Sequence, residues 1–155
     1  MRGVFASASL ALFLLFGACA QADERDAVIE TRDGEVHRFT VELALRPDEQ
    51  RRGLMYRETL AEDSGMLFFY PSCAPAQFWM MNTYIPLDMI FIEADGRIAR
   101  IAEMTVPETL DAHDSGVPVN GVLEVKGGLT RRLGIEEGDF VRHPWFGEGG
   151  KATCG

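Results

Sequence analysis

The sequence predicts a mainly β, single-domain fold, an antiparallel barrel or sandwich with two short helical insertions. Three observations lead there. Apolar and polar residues alternate over residues 38–45, the period-two mark of a half-buried strand. Asp33-Gly34, Asp95-Gly96 and Gly138-Asp139 are tight-turn signals between such runs. Only two stretches carry helix punctuation, and both are short.

Residues 1–20 stand apart as a secretory signal peptide. Arg2 gives a positive start, residues 4–16 are apolar, and Ala18-Cys19-Ala20 offers small residues for cleavage before Gln21. The run is shorter than the roughly 20 apolar residues a membrane span needs. Phe16-Gly17-Ala18-Cys19 leaves a second frame open, a lipoprotein anchored through Cys19. A periplasmic or otherwise exported domain over residues 21–143 is therefore expected, followed by a Gly-rich tail over 144–155 that reads as loosely held.

Within the domain, residues 27–31 and 35–45 form a hairpin around Asp33-Gly34. Phe39, Val41, Leu43 and Leu45 face one side of its second arm. Pro47, Asp48 and Glu49 open the first helix, with acids at the positive end of its dipole, and Gly53 ends it. Residues 66–70 read as a buried strand stopped by Pro71, and 72–77 as a loop of small residues.

The stretch 78–93 is the densest in aromatic and aliphatic side chains. Pro86 divides it, with Asn82 and Thr83 in the connector. Residues 87–93 are apolar on both faces, which marks a central or closed-sheet strand. Residues 97–105 return as its antiparallel partner. Residues 106–120 lack periodicity and read as a long loop over one end of the sheet. A strand at 121–125, a helix at 128–133 closed by Gly134, and a last strand at 140–142 complete the chain.

Charge narrows the partners. With 24 acidic and 15 basic residues the net charge is −9, and Arg51-Arg52 and Arg131-Arg132 are short pairs without a basic stripe. Nucleic acid is excluded as a partner on that ground. Beyond residue 20 only Cys73 and Cys154 remain, a candidate disulfide in an oxidising compartment. The methionines around Met80 and Met81 read as core fillers, since no His accompanies them at ligand spacing. No cofactor or metal site is implied.

Several motifs occur in a fixed order: Arg52-Gly53-Leu54-Met55 with Arg57, Gly65-Met66-Leu67-Phe68, Phe78-Trp79-Met80, Asn82-Thr83 and Pro86-Leu87-Asp88. Asp95-Gly96, Leu123-Glu124-Val125, Gly128, Gly134-Ile135 and Gly138-Asp139 follow. The series resembles the DUF192 (UPF0127) family, small and mostly exported prokaryotic proteins without an established activity, over about residues 28–141. The resemblance implies one compact β-rich domain and no particular reaction. It also implies a basic residue after the Trp-Met pair, where this chain has Met81.

The candidate ligand-binding residues are Arg52, Trp79, Asn82, Thr83, Asp88 and Glu124. Asp88 sits in an apolar run and must be paired or placed at a pocket. A bidentate pair with Arg52 would satisfy it. The leading expectation is a non-catalytic module of the cell envelope that binds a small molecule or an envelope protein through the rim from Trp79 to Asp88. One alternative is a cell-envelope hydrolase using Asp88 with a second carboxylate such as Glu124. The other is a purely structural polar cluster with no pocket. Nucleophilic hydrolysis lacks its signature, because no Gly-x-Ser-x-Gly occurs and neither His113 nor His143 has a recognisable Ser or Cys partner.

Overall fold

The computed structural model describes residues 23–147 and 150–154. The expected signal peptide, residues 1–20, and its Cys19 alternative lie outside them. The described elements are β1 (Asp26–Glu30), β2 (Val36–Ala44), α1 (Pro47–Arg52), β3 (Ser64–Phe78), β4 (Leu87–Ile92), β5 (Ile98–Ala102), β6 (His113–Lys126), α2 (Leu129–Arg132) and β7 (Phe140–Arg142). The strands form one sheet in the order β5-β4-β6-β3-β2-β1-β7. The sheet curls until its two edges meet. There the Ile98 N–H donates to Asp139 O at 2.8 Å and the Val141 N–H donates to Gly96 O at 2.7 Å.

The two faces of the sheet bury different cores. One cluster takes Ala27, Ile29, Phe39, Val41, Leu67, Ile90, Ile98, Leu123 and Val141. It draws on all seven strands, so it is the inside of the curl. The second takes Met66, Phe68, Leu87, Met89, Phe91 and Val122, together with Leu54 and Met80 from connectors. It is the outside of the sheet, covered by the chain that links β2 to β3 and β3 to β4.

The expected fold class holds, with four local differences. The β2–β3 pair is parallel, because a connection carrying α1 crosses over between them. Pro71 does not end β3. The strand continues to Phe78 through register shifts, pairing with the first half of β6. Consequently the expected long loop at 106–120 is shorter, and His113–Asn120 is strand. These two segments make a largely exposed, bulged ribbon, so neither shows apolar alternation.

The tail also differs from its expected looseness. Trp145 is buried in the inner core and packs on Phe69 at 4.6 Å between ring centroids. The Thr153 N–H donates to Pro71 O and the Cys73 N–H donates to Thr153 O, each at 3.2 Å. Cys73 and Cys154 are joined, with Cα atoms 5.0 Å apart. At the other end Glu24 meets the same region. Its carbonyl accepts from His143 Nε2 at 2.8 Å, and its carboxylate accepts from Lys151 Nζ at 2.7 Å.

The β1–β2 turn requires glycine for its backbone alone. Gly34 has φ +92, and a Cβ there would meet nothing within 4 Å. Gly34→Ala should therefore cost about 1 kcal/mol of unfolding free energy, the penalty of a left-handed non-glycine residue. Urea denaturation measures it, and an unchanged midpoint would show that the turn relaxes.

Candidate functional site

A cleft of about 310 Å³ opens on the outer face of the sheet, beneath the C-terminal end of α1. Local sequence builds it. Pro47 and the acids start α1, and Gln50 Nε2 ties the helix down by donating to Ala44 O at 3.2 Å and to Phe69 O at 3.0 Å. Gly53 ends the helix with φ +48, and its backbone lies against the cleft floor. A Cβ at this position would approach Phe68 Cζ at 3.2 Å and Glu124 Oε2 at 3.7 Å. Glycine both permits the turn and leaves the space open.

Glu124 is the floor. In β6 it stands opposite Met66 of β3 and Met89 of β4, an acid set between methionines on the outer core. It is 4 % exposed. Among the described residues its Oε2 has no hydrogen-bond partner. Burial pushes its carboxyl group up to about 8, because desolvation disfavours the charged form. Tyr70, two residues beyond Phe68 on the same face, lines the cleft. Its phenol is pushed up to about 12, first by burial and then by the Glu124 charge.

The walls and mouth carry the rest. Phe68 and Phe78 meet edge to face at 5.0 Å, and Trp79 lies half exposed (49 %) at the rim. Pro47, Gln50, Arg51, Arg52, Leu54, Met55, Gln77 and Thr83 complete the lining. The rim connectors are pinned together: the Tyr56 N–H donates to Asn82 O at 2.8 Å and the Glu108 N–H donates to Thr83 O at 3.1 Å. All four described non-glycine residues with positive φ, namely Tyr56, Asn82, Met104 and Glu108, lie in these connectors.

Of the six candidate residues, the cleft gathers Arg52, Trp79, Thr83 and Glu124. Asn82 sits behind the rim as a left-handed turn residue. Asp88 is elsewhere, and the expected Arg52–Asp88 pair does not form. Asp88 is fully buried, and four donors hold its carboxylate. Met104 N–H and Gly128 N–H reach Oδ1 at 2.8 Å each. Thr130 N–H and Thr130 Oγ1–H reach Oδ2 at 2.9 and 2.7 Å.

Arg52 is instead exposed at the helix end. The register explains the separation. Asp88 pairs with Val125 while Met89 pairs with Glu124, so the two acids point to opposite faces of one sheet. They do not converge on a common bond, which removes the carboxylate pair of the hydrolase alternative.

Sequence reasoning missed Phe68, Tyr70, Phe78 and Arg51 as lining residues. The available signal was the spacing Met66, Phe68, Tyr70, three bulky side chains on one face beside a buried acid. Met81, where the family resemblance implies a cation, is 39 % exposed and does not line the cleft. Among the described residues no group of three or more His, Cys, Asp and Glu side chains converges at metal-binding distance. Likewise, no described helix is long and apolar enough to cross a membrane.

No curated protein matches the chain. Solved structures do. One is a Sinorhizobium meliloti 1021 protein described as a candidate transcription regulator, 44 % identical with a TM-score of 0.74, covering 76 % of this chain and 91 % of its own. Another is a protein of unknown function from Novosphingobium aromaticivorans DSM 12444, 42 % identical with a TM-score of 0.72, covering 76 % and 83 %. The family model described as DUF192, uncharacterized ACR, matches residues 28–143. By that match, with the ordered motifs now placed on the curled sheet, the chain belongs to the DUF192 family.

Proposed function

We propose that this protein is an exported, non-catalytic module that binds a small organic molecule in the cleft between α1 and the outer face of the sheet. One observation carries the reading: Glu124, an almost fully buried acid with an unpartnered oxygen, forms the floor of an open cleft. A buried polar atom without a partner is costly, and a bound donor would remove that cost. The volume sits at the small end of ligand sites, about 300–1,000 Å³, and Phe68, Phe78 and Trp79 give the cleft aromatic walls. Export rests on the pattern of residues 1–20. The description of the Sinorhizobium relative does not guide the reading, since 24 acids against 15 bases leave little to hold a phosphate backbone.

A thermal-shift screen of the purified protein against amines, sugars, organic acids and envelope fragments tests the proposal. At least one compound should raise the melting temperature and quench Trp79 fluorescence. Trp79→Ala should abolish that shift while changing unfolding free energy by no more than about 0.5 kcal/mol, as expected at an exposed site. Compounds that bind equally well to Trp79→Ala, or a screen with no response, would overturn it.

A further inference from the structure

Resting on the cleft reading above, we infer that the ligand carries a primary ammonium group at its inner end and an anionic group at its outer end. The inner end is set by Glu124. Its Oε2 has no partner in the fold, and in the carboxylate form it only accepts, so an incoming N–H donor would complete it. Phe68, Tyr70 and Phe78 line the same cleft, with Trp79 at its rim. Four aromatic side chains and one carboxylate are the components of a cation cage, because ring faces attract a nearby positive charge. A hydroxyl would satisfy Oε2 but gain nothing from the rings. A quaternary ammonium would use the rings but offer Oε2 no proton.

The outer end is set by the arginines. Arg51 and Arg52 are exposed at the mouth, and neither forms a salt bridge among the described residues. Arg46 and Arg57, just before and after them, are each held by acids: Arg46 by Asp48 and Glu49, Arg57 by Glu42. Two free guanidinium groups beside a ligand cleft suit a carboxylate or phosphate.

The titratable and charged groups that line the cleft with Glu124 are Tyr70 from β3 and Arg51 and Arg52 from α1. β4 contributes only Met89 opposite Glu124, and the connector contributes Thr83 and Trp79. Glu42, Glu49 and Arg57 lie in the adjoining groove beyond Arg52 and Gly53. In the empty cleft at pH 7 the Glu124 carboxyl keeps its proton, since burial holds it up near 8. An ammonium ion needs the carboxylate. Binding therefore breaks the Glu124 O–H bond, sends that proton to solvent, and leaves an ammonium–carboxylate pair.

Isothermal titration of the purified protein at pH 7, in two buffers of different ionisation enthalpy, tests this with three probes: 6-aminohexanoate, hexylamine and hexanoate. 6-Aminohexanoate should bind at least tenfold more tightly than hexanoate and release close to one proton. Hexylamine should release the same proton. Glu124→Gln should lose both the proton release and the tenfold preference of 6-aminohexanoate over hexanoate. Hexanoate binding as tightly as 6-aminohexanoate, or amine binding without proton release, would overturn the inference from the wild-type data alone. If none of the three binds while another compound still engages Trp79, the ligand class falls and the cleft reading stands. If neither these probes nor the screen perturbs the cleft, both fall.

Discussion

Replacing Asp88 by Asn should lower unfolding free energy by about 3–4 kcal/mol, the cost of leaving buried donors facing a donor in place of a carboxylate. Wild-type Asp88 accepts from three backbone N–H groups and one hydroxyl, drawn from the connector after β5 and from the start of α2. Asn keeps one oxygen but turns an amide N–H₂ toward the others. No rotamer satisfies all four. For a domain of this size the loss corresponds to a melting temperature lower by roughly 10 °C or more.

Thr130→Val removes only the hydroxyl donor and should cost about 1 kcal/mol. Urea unfolding of both variants checks the order as well as the size. If Asp88→Asn melts with wild type, the carboxylate is not what holds α2 to β4. Ligand binding in the cleft should survive in both variants, because the sheet lies between Asp88 and Glu124.

The second large effect is a pH dependence. Glu124→Gln should gain about 3 kcal/mol over wild type on going from pH 5.5 to pH 9, since the loss between pH 5.5 and about 8 runs at roughly 1.4 kcal/mol per unit. The folded group titrates near 8 and the free one near 4.5. Between those values the native state binds the extra proton, so wild-type stability falls as pH rises. What Glu124 contributes is present in full below 4.5 and lost once pH passes about 8. Gln mimics the neutral acid at every pH.

The variant-minus-wild-type difference cancels the other groups. His143 is one of them: burial holds it below its usual value, so it destabilises the fold in the opposite direction, toward acid. Tyr70 loses its proton only near 12. A difference that stays flat between pH 5.5 and pH 9 would mean that Glu124 is hydrated and ordinary.

How much of this could be read in the chain depends on how local each cause is. The alternation at Phe39, Val41 and Leu43 and the two-faced apolar run at Leu87–Ile92 are local, and both strands lie where the pattern predicts. Pro47 and Gly53 bound α1 for equally local reasons. Glu124 fails that test. Between Leu123 and Val125 it looks like the wet side of a half-buried strand, yet β6 is covered on both faces in this half.

Which acid reaches which face depends on a pairing between strands far apart in sequence, and a slip of one residue would exchange them. The family motifs marked Asp88 and Glu124 alike without distinguishing a fastening from a floor. Trp145 was hidden for another reason. A lone aromatic in a Gly-rich tail has no period, and only the space beside Phe69 makes it core.

The contact of Glu24 with His143, Trp145 and Lys151 places the two ends of the described chain side by side. A chain opened at the exposed Asp33-Gly34 turn, with residues 23 and 154 bridged by a short linker, would retain every strand pairing of the curled sheet. Such a circular permutant would carry its termini at the β1–β2 turn, leaving the region where the ends now meet as a continuous surface.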